Sequence, residues 1–152
     1  MFALMLIAVF ALTAVVIAAD NNVGTWKLNV TKSKFSPGPA PTSQTLKIEA
    51  WGEDGVKYVA DGVGADGKPT HSEFAAKYDG KDYPFTGNPD ADKLSYKRID
   101  ANTVEATTTL KGKNTTAAKI VVSADGKTRT VTQTGTNAQG QAVNISSVYE
   151  KQ

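Results

Sequence analysis

Gly24-Thr25-Trp26-Lys27-Leu28 and Val148-Tyr149-Glu150-Lys151 stand at the two ends of a long polar stretch, and in both of them apolar and polar residues alternate. Alternation is the period of a half-buried β-strand, whose successive side chains point to opposite faces. Between these segments the same period recurs in Thr45–Trp51, Val56–Gly62, Thr70–Tyr78, Leu94–Ile99, Thr103–Leu110, Ala117–Ser123 and Thr128–Gly135, and the end segments themselves extend over Thr25–Val30 and Val143–Lys151. In Thr45–Trp51, Leu46, Ile48 and Ala50 share one face and Lys47 and Glu49 the other. In Thr103–Leu110, Val104, Ala106 and Leu110 oppose Thr103, Glu105 and Thr107. Each strand has a wet face and a dry one.

The connections agree with this pattern. Asp54-Gly55, Asp66-Gly67, Asp79-Gly80, Lys111-Gly112 and Asp125-Gly126 supply the positive φ that tight hairpins demand, so strands adjacent in sequence are expected to pair in space. No segment after residue 22 carries apolar residues at helical spacing, and parallel crossovers would need such helices. The expected fold is therefore all-β: an antiparallel up-and-down meander of roughly eight to ten strands closed into a barrel.

The chain has 152 residues, 40% hydrophobic and 21% charged, which fits one globular domain, here residues 23–152. Its net charge of +2 comes from interspersed Lys and Asp without basic blocks, so nucleic acid is not an expected partner. Cysteine is absent, and both methionines, Met1 and Met5, precede the domain. Disulfides, thiolate chemistry and soft-metal sites are excluded, and no cofactor is expected.

Residues 1–19 are apolar except for Thr13 and finish in Ala18-Ala19 before the polar Asp20-Asn21-Asn22. This is the pattern of a signal peptide cut after a small residue, and it places the domain in the periplasm or outside the cell. No Lys or Arg precedes the run, and its length approaches the ~20 residues that span a bilayer, so an uncleaved anchor is the alternative. With the leader removed, no membrane span is expected.

Two segments do not read as hairpins. Thr31–Ser43 contains Pro37-Gly38-Pro39-Ala40-Pro41, and Asp82–Pro89 sets Tyr83 and Phe85 beside Pro84 and Pro89. Proline removes a ladder donor, so both are expected to be loops. Loops of this kind, carrying aromatic residues, often cover a site, which makes Phe35, Tyr83 and Phe85 candidate lid residues.

Catalytic and metal chemistry find little support. His71 is the only histidine, and its neighbour Ser72 points to the opposite strand face. Asn88-Pro89-Asp90-Ala91-Asp92 opens like a calcium loop, but Lys93 and Ile99 occupy the positions that need Gly and Glu. The expected catalytic set and the expected metal set are both empty, and the chain is not expected to be an enzyme.

The Gly-x-Trp of Gly24-Thr25-Trp26, the meander of short strands and the closing Val148-Tyr149-Glu150-Lys151 resemble the calycin superfamily, the lipocalins and fatty-acid-binding proteins. With Lys32-Ser33-Lys34-Phe35 following, the chain looks most like small exported bacterial lipocalin-like proteins of unassigned activity. The resemblance implies that Trp26 packs at the closed end of the barrel beneath a basic side chain, Lys151 or, second, Arg129. Fatty-acid-binding proteins end in Thr-Arg-Val-Tyr-Glu, whose Arg and Tyr grip a carboxylate. Here Tyr149 is kept and Ser147 replaces the arginine, so a charge-assisted grip is not expected from this strand.

The inward faces would include Ala50, Tyr58, Phe74, Tyr96, Ile120, Thr132, Ser147 and Tyr149, of which Tyr58, Phe74, Tyr96, Ile120, Ser147 and Tyr149 are the candidate ligand-binding residues. An apolar lining with a few hydroxyls suits a small apolar or weakly polar molecule. The alternative is a self-filled barrel with a structural or assembly role in the envelope or extracellular space, associating with itself through a threonine-rich outer face of Thr103, Thr107, Thr109, Thr115 and Thr116.

Overall fold

The computed structural model describes residues 19–152; of the expected leader, residues 1–18 lie outside that range. The chain forms eleven strands, β1 (Gly24–Leu28), β2 (Lys34–Ser36), β3 (Ser43–Ala50), β4 (Gly55–Val63), β5 (Pro69–Lys77), β6 (Asp79–Thr86), β7 (Lys93–Asp100), β8 (Thr103–Leu110), β9 (Lys113–Val122), β10 (Thr128–Thr136) and β11 (Ala142–Lys151), with one 3₁₀ turn at Val30–Lys32. All neighbours are antiparallel, in sequence order from β3 to β11. Among the described residues no helix is long and apolar enough to cross a membrane.

The ring closes because β1 pairs on both sides. Gly24–Lys27 lie against Ile48–Thr45 of β3, and Trp26, Leu28 and the intervening Lys27 lie against Lys151, Tyr149 and Glu150 of β11. Beyond Leu28 the chain swells into the 3₁₀ turn and re-enters as β2, which pairs Lys34–Ser36 with Ser146–Asn144 of the same β11. β1 and β2 are thus two halves of one strand position in a ten-stranded barrel. The swelling is tied to β11: Asn29 Nδ2 donates to Glu150 Oε1 (3.0 Å), Lys32 Nζ to the same oxygen (2.9 Å), and Ser33 Oγ accepts from the Val148 amide (2.9 Å).

Two expected loops therefore contain strands. Lys34–Ser36 is short but fully laddered, and the prolines begin only at Pro37. Asp79–Thr86 is a strand despite Pro84. Phe85 N–H donates to Asp92 O of the connection into β7 (2.9 Å), so the preceding residue turns its nitrogen away from β7 and toward β5. There the ladder holds only Glu73↔Thr86 and Phe74↔Phe85, and it stops at Pro84, which has no N–H to extend it.

The closed end is built around Trp26, fully buried at 0% exposure. Its Nε1 donates to the Asn22 carbonyl (3.0 Å), and Lys151 Nζ lies 5.1 Å from its ring centroid. Gly24 makes that cover feasible: its φ is +145°, and a Cβ there would fall 2.6 Å from Lys151 Cε. Asp20 and Asn22 complete the floor. Tyr78 Oη donates to Asp20 Oδ2 (2.7 Å) and accepts from Asn22 Nδ2 (3.2 Å), and Arg98 Nη2 reaches both Asp20 and Asp54 at 3.3 Å.

The alternation expected from the sequence needs four corrections. Ala50, at the frayed end of β3, is exposed, and so is Thr132, which has the opposite parity to the inward Val131 and Gln133. Thr103 and Thr116, expected on the wet face, are buried at 9% and 6%. Thr116 has the parity of Ala118, Ile120 and Val122, so plain alternation turns it inward. Between the pairs Thr107↔Ala117 and Thr109↔Asn114, Thr115 and Thr116 together oppose Thr108, a bulge at which the alternation of β9 is interrupted. Opposite the bulge, β10 carries Gly135, with φ +145°, where a Cβ would sit 2.1 Å from the Thr115 carbonyl oxygen.

Gly135→Ala is expected to destabilise the protein by about 2–3 kcal/mol, because clash and backbone strain act together. Gly67, at φ +78° with nothing near a Cβ, is the control, with an expected loss of about 1 kcal/mol. Urea unfolding midpoints at unchanged m-value measure both.

Candidate functional site

The barrel is not filled by its own side chains. It encloses a cavity of about 240 Å³, whose walls change in character from floor to mouth. All six expected ligand-binding residues, Tyr58, Phe74, Tyr96, Ile120, Ser147 and Tyr149, line it, as do Phe35 and Phe85. Alternation places them there: Tyr149 and Ser147 are two apart on β11, and Phe74 sits opposite Tyr58 across the β4–β5 ladder. Phe74 stacks on Tyr58 (centroids 4.6 Å, 11° apart) and meets Phe85 and Tyr96 edge-on at 5.4 and 5.1 Å. One rigid aromatic wall results.

Tyr83 does not join the cavity lining. Its hydroxyl donates to Asp79 Oδ2 (2.8 Å) and its ring meets Trp51 edge-on at 6.5 Å. Both partners belong to turns at the closed end, so Tyr83 lies away from the mouth where a lid would be. Phe35 and Phe85 stand nearer the mouth, on β2 and on the last residues of β6.

Arg129 takes a different place from the one the resemblance implied. Lys151 covers Trp26, while Arg129, near the start of β10 and directly across from Tyr149, turns into the cavity floor. It is 2% exposed. Its Nε donates to Asn22 Oδ1 (2.8 Å), its guanidinium lies beside the Tyr96 hydroxyl, and its central carbon is 5.8 Å from the Tyr149 ring. Among the described residues no carboxylate pairs with it. The signal was present in the sequence: in Thr128–Thr136, Arg129 has the same parity as Val131.

The groups around this cation are neutral donors. Burial pushes the hydroxyls of Tyr58, Tyr96 and Tyr149 above the ordinary tyrosine range, an effect the guanidinium opposes without overturning. They stay protonated at neutral pH. Tyr149 Oη donates to Gln44 Oε1 (2.6 Å), and Ser147 is buried beside it at 4% exposure. Together, a fixed guanidinium and several hydroxyls beneath an apolar wall can receive one anionic oxygen group.

Other chemistry-bearing residues lie elsewhere. His71 is exposed on the outer face, its Nδ1 2.6 Å from Asp61 Oδ1, and that hydrogen bond holds its pKa above the ordinary value. Ser72 faces inward and lines the cavity. Asp90 and Asp92 tie loops together, accepting from the amides of Ala138 (2.8 Å) and Lys111 (2.9 Å).

The fold has solved counterparts. Zebrafish ileal bile acid-binding protein, in a complex with cholic acid, superposes with a TM-score of 0.51 at 14% identity, over 87% of this chain and 99% of that one. Wild-type UnaG, a fluorescent protein, superposes with a TM-score of 0.55 at 17% identity, over 87% of this chain and 98% of that one. No protein-family model matches the chain, and no curated protein matches it. The shared architecture is that of a closed antiparallel β-barrel, in this chain one of ten strands in up-and-down order.

Proposed function

We propose that this chain is a binding protein, not an enzyme, and that it holds one small, mostly apolar organic acid inside the barrel with the acid end on Arg129. The observation that carries the reading is the guanidinium itself, buried in the cavity floor and without a carboxylate partner among the described residues. Withdrawing an ion from water costs several kcal/mol even after relaxation. A fold that leaves such a group uncompensated inside a cavity is compensated when an anion enters. The complex of the zebrafish barrel with cholic acid supports the small-molecule part of this reading.

The proposal narrows the ligand expected from the sequence. The arginine missing from β11, where Ser147 stands, is supplied one strand away and opposite Tyr149, so the pairing of guanidinium and tyrosine is rebuilt by a cross-strand neighbour.

Calorimetric titration with decanoic acid and with its methyl ester tests this. The acid is expected to bind at least tenfold more tightly, and Arg129→Met to weaken acid binding by roughly 10–100-fold, the value of charge-assisted hydrogen bonds. Without ligand, Arg129→Met is expected to unfold at higher urea, by about 1 kcal/mol, since a desolvated charge has been removed. Equal affinity for acid and ester would overturn the reading.

We further propose that the chain is exported and that residues 1–19 are removed. Support comes from the apolar run ending in Ala18-Ala19 and from the floor, which uses Asp20 and Asn22. A cut after Ala19 is the last one that spares both. Intact-mass measurement on protein from its own host is expected to give an N-terminus at Asp20; a mass that includes Met1 would sink the proposal.

A further inference from the structure

Beside the cavity above Arg129 lies a second hollow of about 170 Å³. The two share Asn88, Thr108, Thr116, Gln133 and Ile145 as common walls, and are the lower and upper lobes of one candidate site. We infer that these shared polar residues form a second recognition site, and that the ligand is an elongated acid carrying a neutral hydrogen-bonding group, a hydroxyl or carbonyl, at the end remote from its carboxylate. The inference rests on the binding reading above and adds a second contact to it.

Size is the first argument. The lower lobe falls short of the ~300–1,000 Å³ typical of sites for organic molecules, and the space reaches that range only with the upper lobe included. An occupant that fills both lobes passes the residues they share.

Chemistry is the second. The middle of the barrel is apolar, with Phe74, Leu94, Ala118, Ile120 and Val131 facing the space, and then the lining turns polar at one level. Thr108 Oγ1 lies 2.7 Å from Thr116 Oγ1 and accepts from the Thr116 amide (3.1 Å), and Gln133 Nε2 donates to Thr116 Oγ1 (2.8 Å). These bonds fix the Gln133 amide and leave its Oε1 with no partner among the described residues. Asn88 likewise uses its Oδ1 on the Asp90 amide (2.8 Å), and its Nδ2 has no partner among the described residues. One acceptor and one donor are thus left over among the residues that line both hollows. The level coincides with the β8–β9 bulge and with Gly135, whose bare Cα lets the Thr115 carbonyl approach.

Spacing is the third. Arg129 and Gln133 are four residues apart on one strand, or about 13 Å at ~3.3 Å per residue. This sets the distance between the two polar ends of the ligand, with hydrocarbon between them. Orientation follows from charge: Asp90 lines the upper lobe, so a second carboxylate there would be repelled.

The experiment is calorimetric titration of the purified protein with three probes: decanoic acid, 10-hydroxydecanoic acid and decanedioic acid. The hydroxy acid is expected to bind about tenfold more tightly than decanoic acid, the worth of one or two well-placed hydrogen bonds, and the diacid more weakly than the hydroxy acid. In Gln133→Leu, and separately in Thr108→Val, the ratio of hydroxy-acid to plain-acid affinity is expected to collapse toward one. The ratio is the readout, so a general loss of fold, which weakens both ligands together, does not imitate it. Equal binding of the two acids by the parent protein, or a ratio unchanged in both variants, overturns the second site and leaves the Arg129 reading standing. If none of the probes binds, the Arg129 reading falls and this inference falls with it.

Discussion

Closure of the sheet at β1 is the constraint on which the rest depends. An open sheet of this length would expose two ladder edges and a dry face, whereas a closed one has neither. Here the seam is narrow: three residue pairs join β1 to β11, and β2 adds three more. Trp26 reinforces it from inside, held by the Asn22 carbonyl and covered by Lys151. The Gly-x-Trp pattern thereby acquires a mechanical meaning. Gly24 removes the side chain that would keep Lys151 off the ring, and the indole fills the closed end beside Asn22 and Tyr78.

The same floor ties architecture to binding. Asn22 uses its backbone on Trp26 and its side chain on both Tyr78 and Arg129. A residue that seals the barrel therefore also orients, through Nε, the one cation that lines the cavity among the described residues. Stability and affinity oppose each other at this point. A wholly apolar floor would favour the empty fold, and the guanidinium trades part of that stability for an anion site.

The upper half of the barrel follows a different logic. A bulge in β8–β9 and a glycine in β10 interrupt regular pleating where the lining changes from apolar to polar. Bulges redirect side chains, and this one sets Thr115 and Thr116 together against Thr108, whose hydroxyl meets both of theirs. The break between β1 and β2 and the thin β5–β6 ladder also loosen the regular pattern. The ladders run without a break from β3 to β5 and from β9 to β11, as from Gly55↔Lys77 to Val63↔Pro69 and from Thr128↔Glu150 to Thr136↔Ala142.

Local alternation was enough to read nine of the strands, the closed antiparallel order and six cavity residues from the amino-acid sequence, because a period of two and Asp-Gly turns act over a few residues only. It was not enough for β6, since whether Pro84 breaks a ladder depends on which neighbour its nitrogen faces, and that neighbour is β5 with its short pairing. Nor did it place Tyr83, whose hydroxyl is claimed by Asp79 at the closed end; Thr116, by contrast, was legible, since it shares the parity of Ile120 and Val122. Arg129 shows the division most plainly. Its parity in β10 was legible, but its role was not: residues 22, 96, 129 and 149 come together only when four separate segments close into one ring. The sequence by itself determined the strands, their order and the existence of a dry face. Only the tertiary structure decided that the dry face surrounds a hollow with a charge at its base, because the space inside a barrel is set by the curvature and register of all its strands at once.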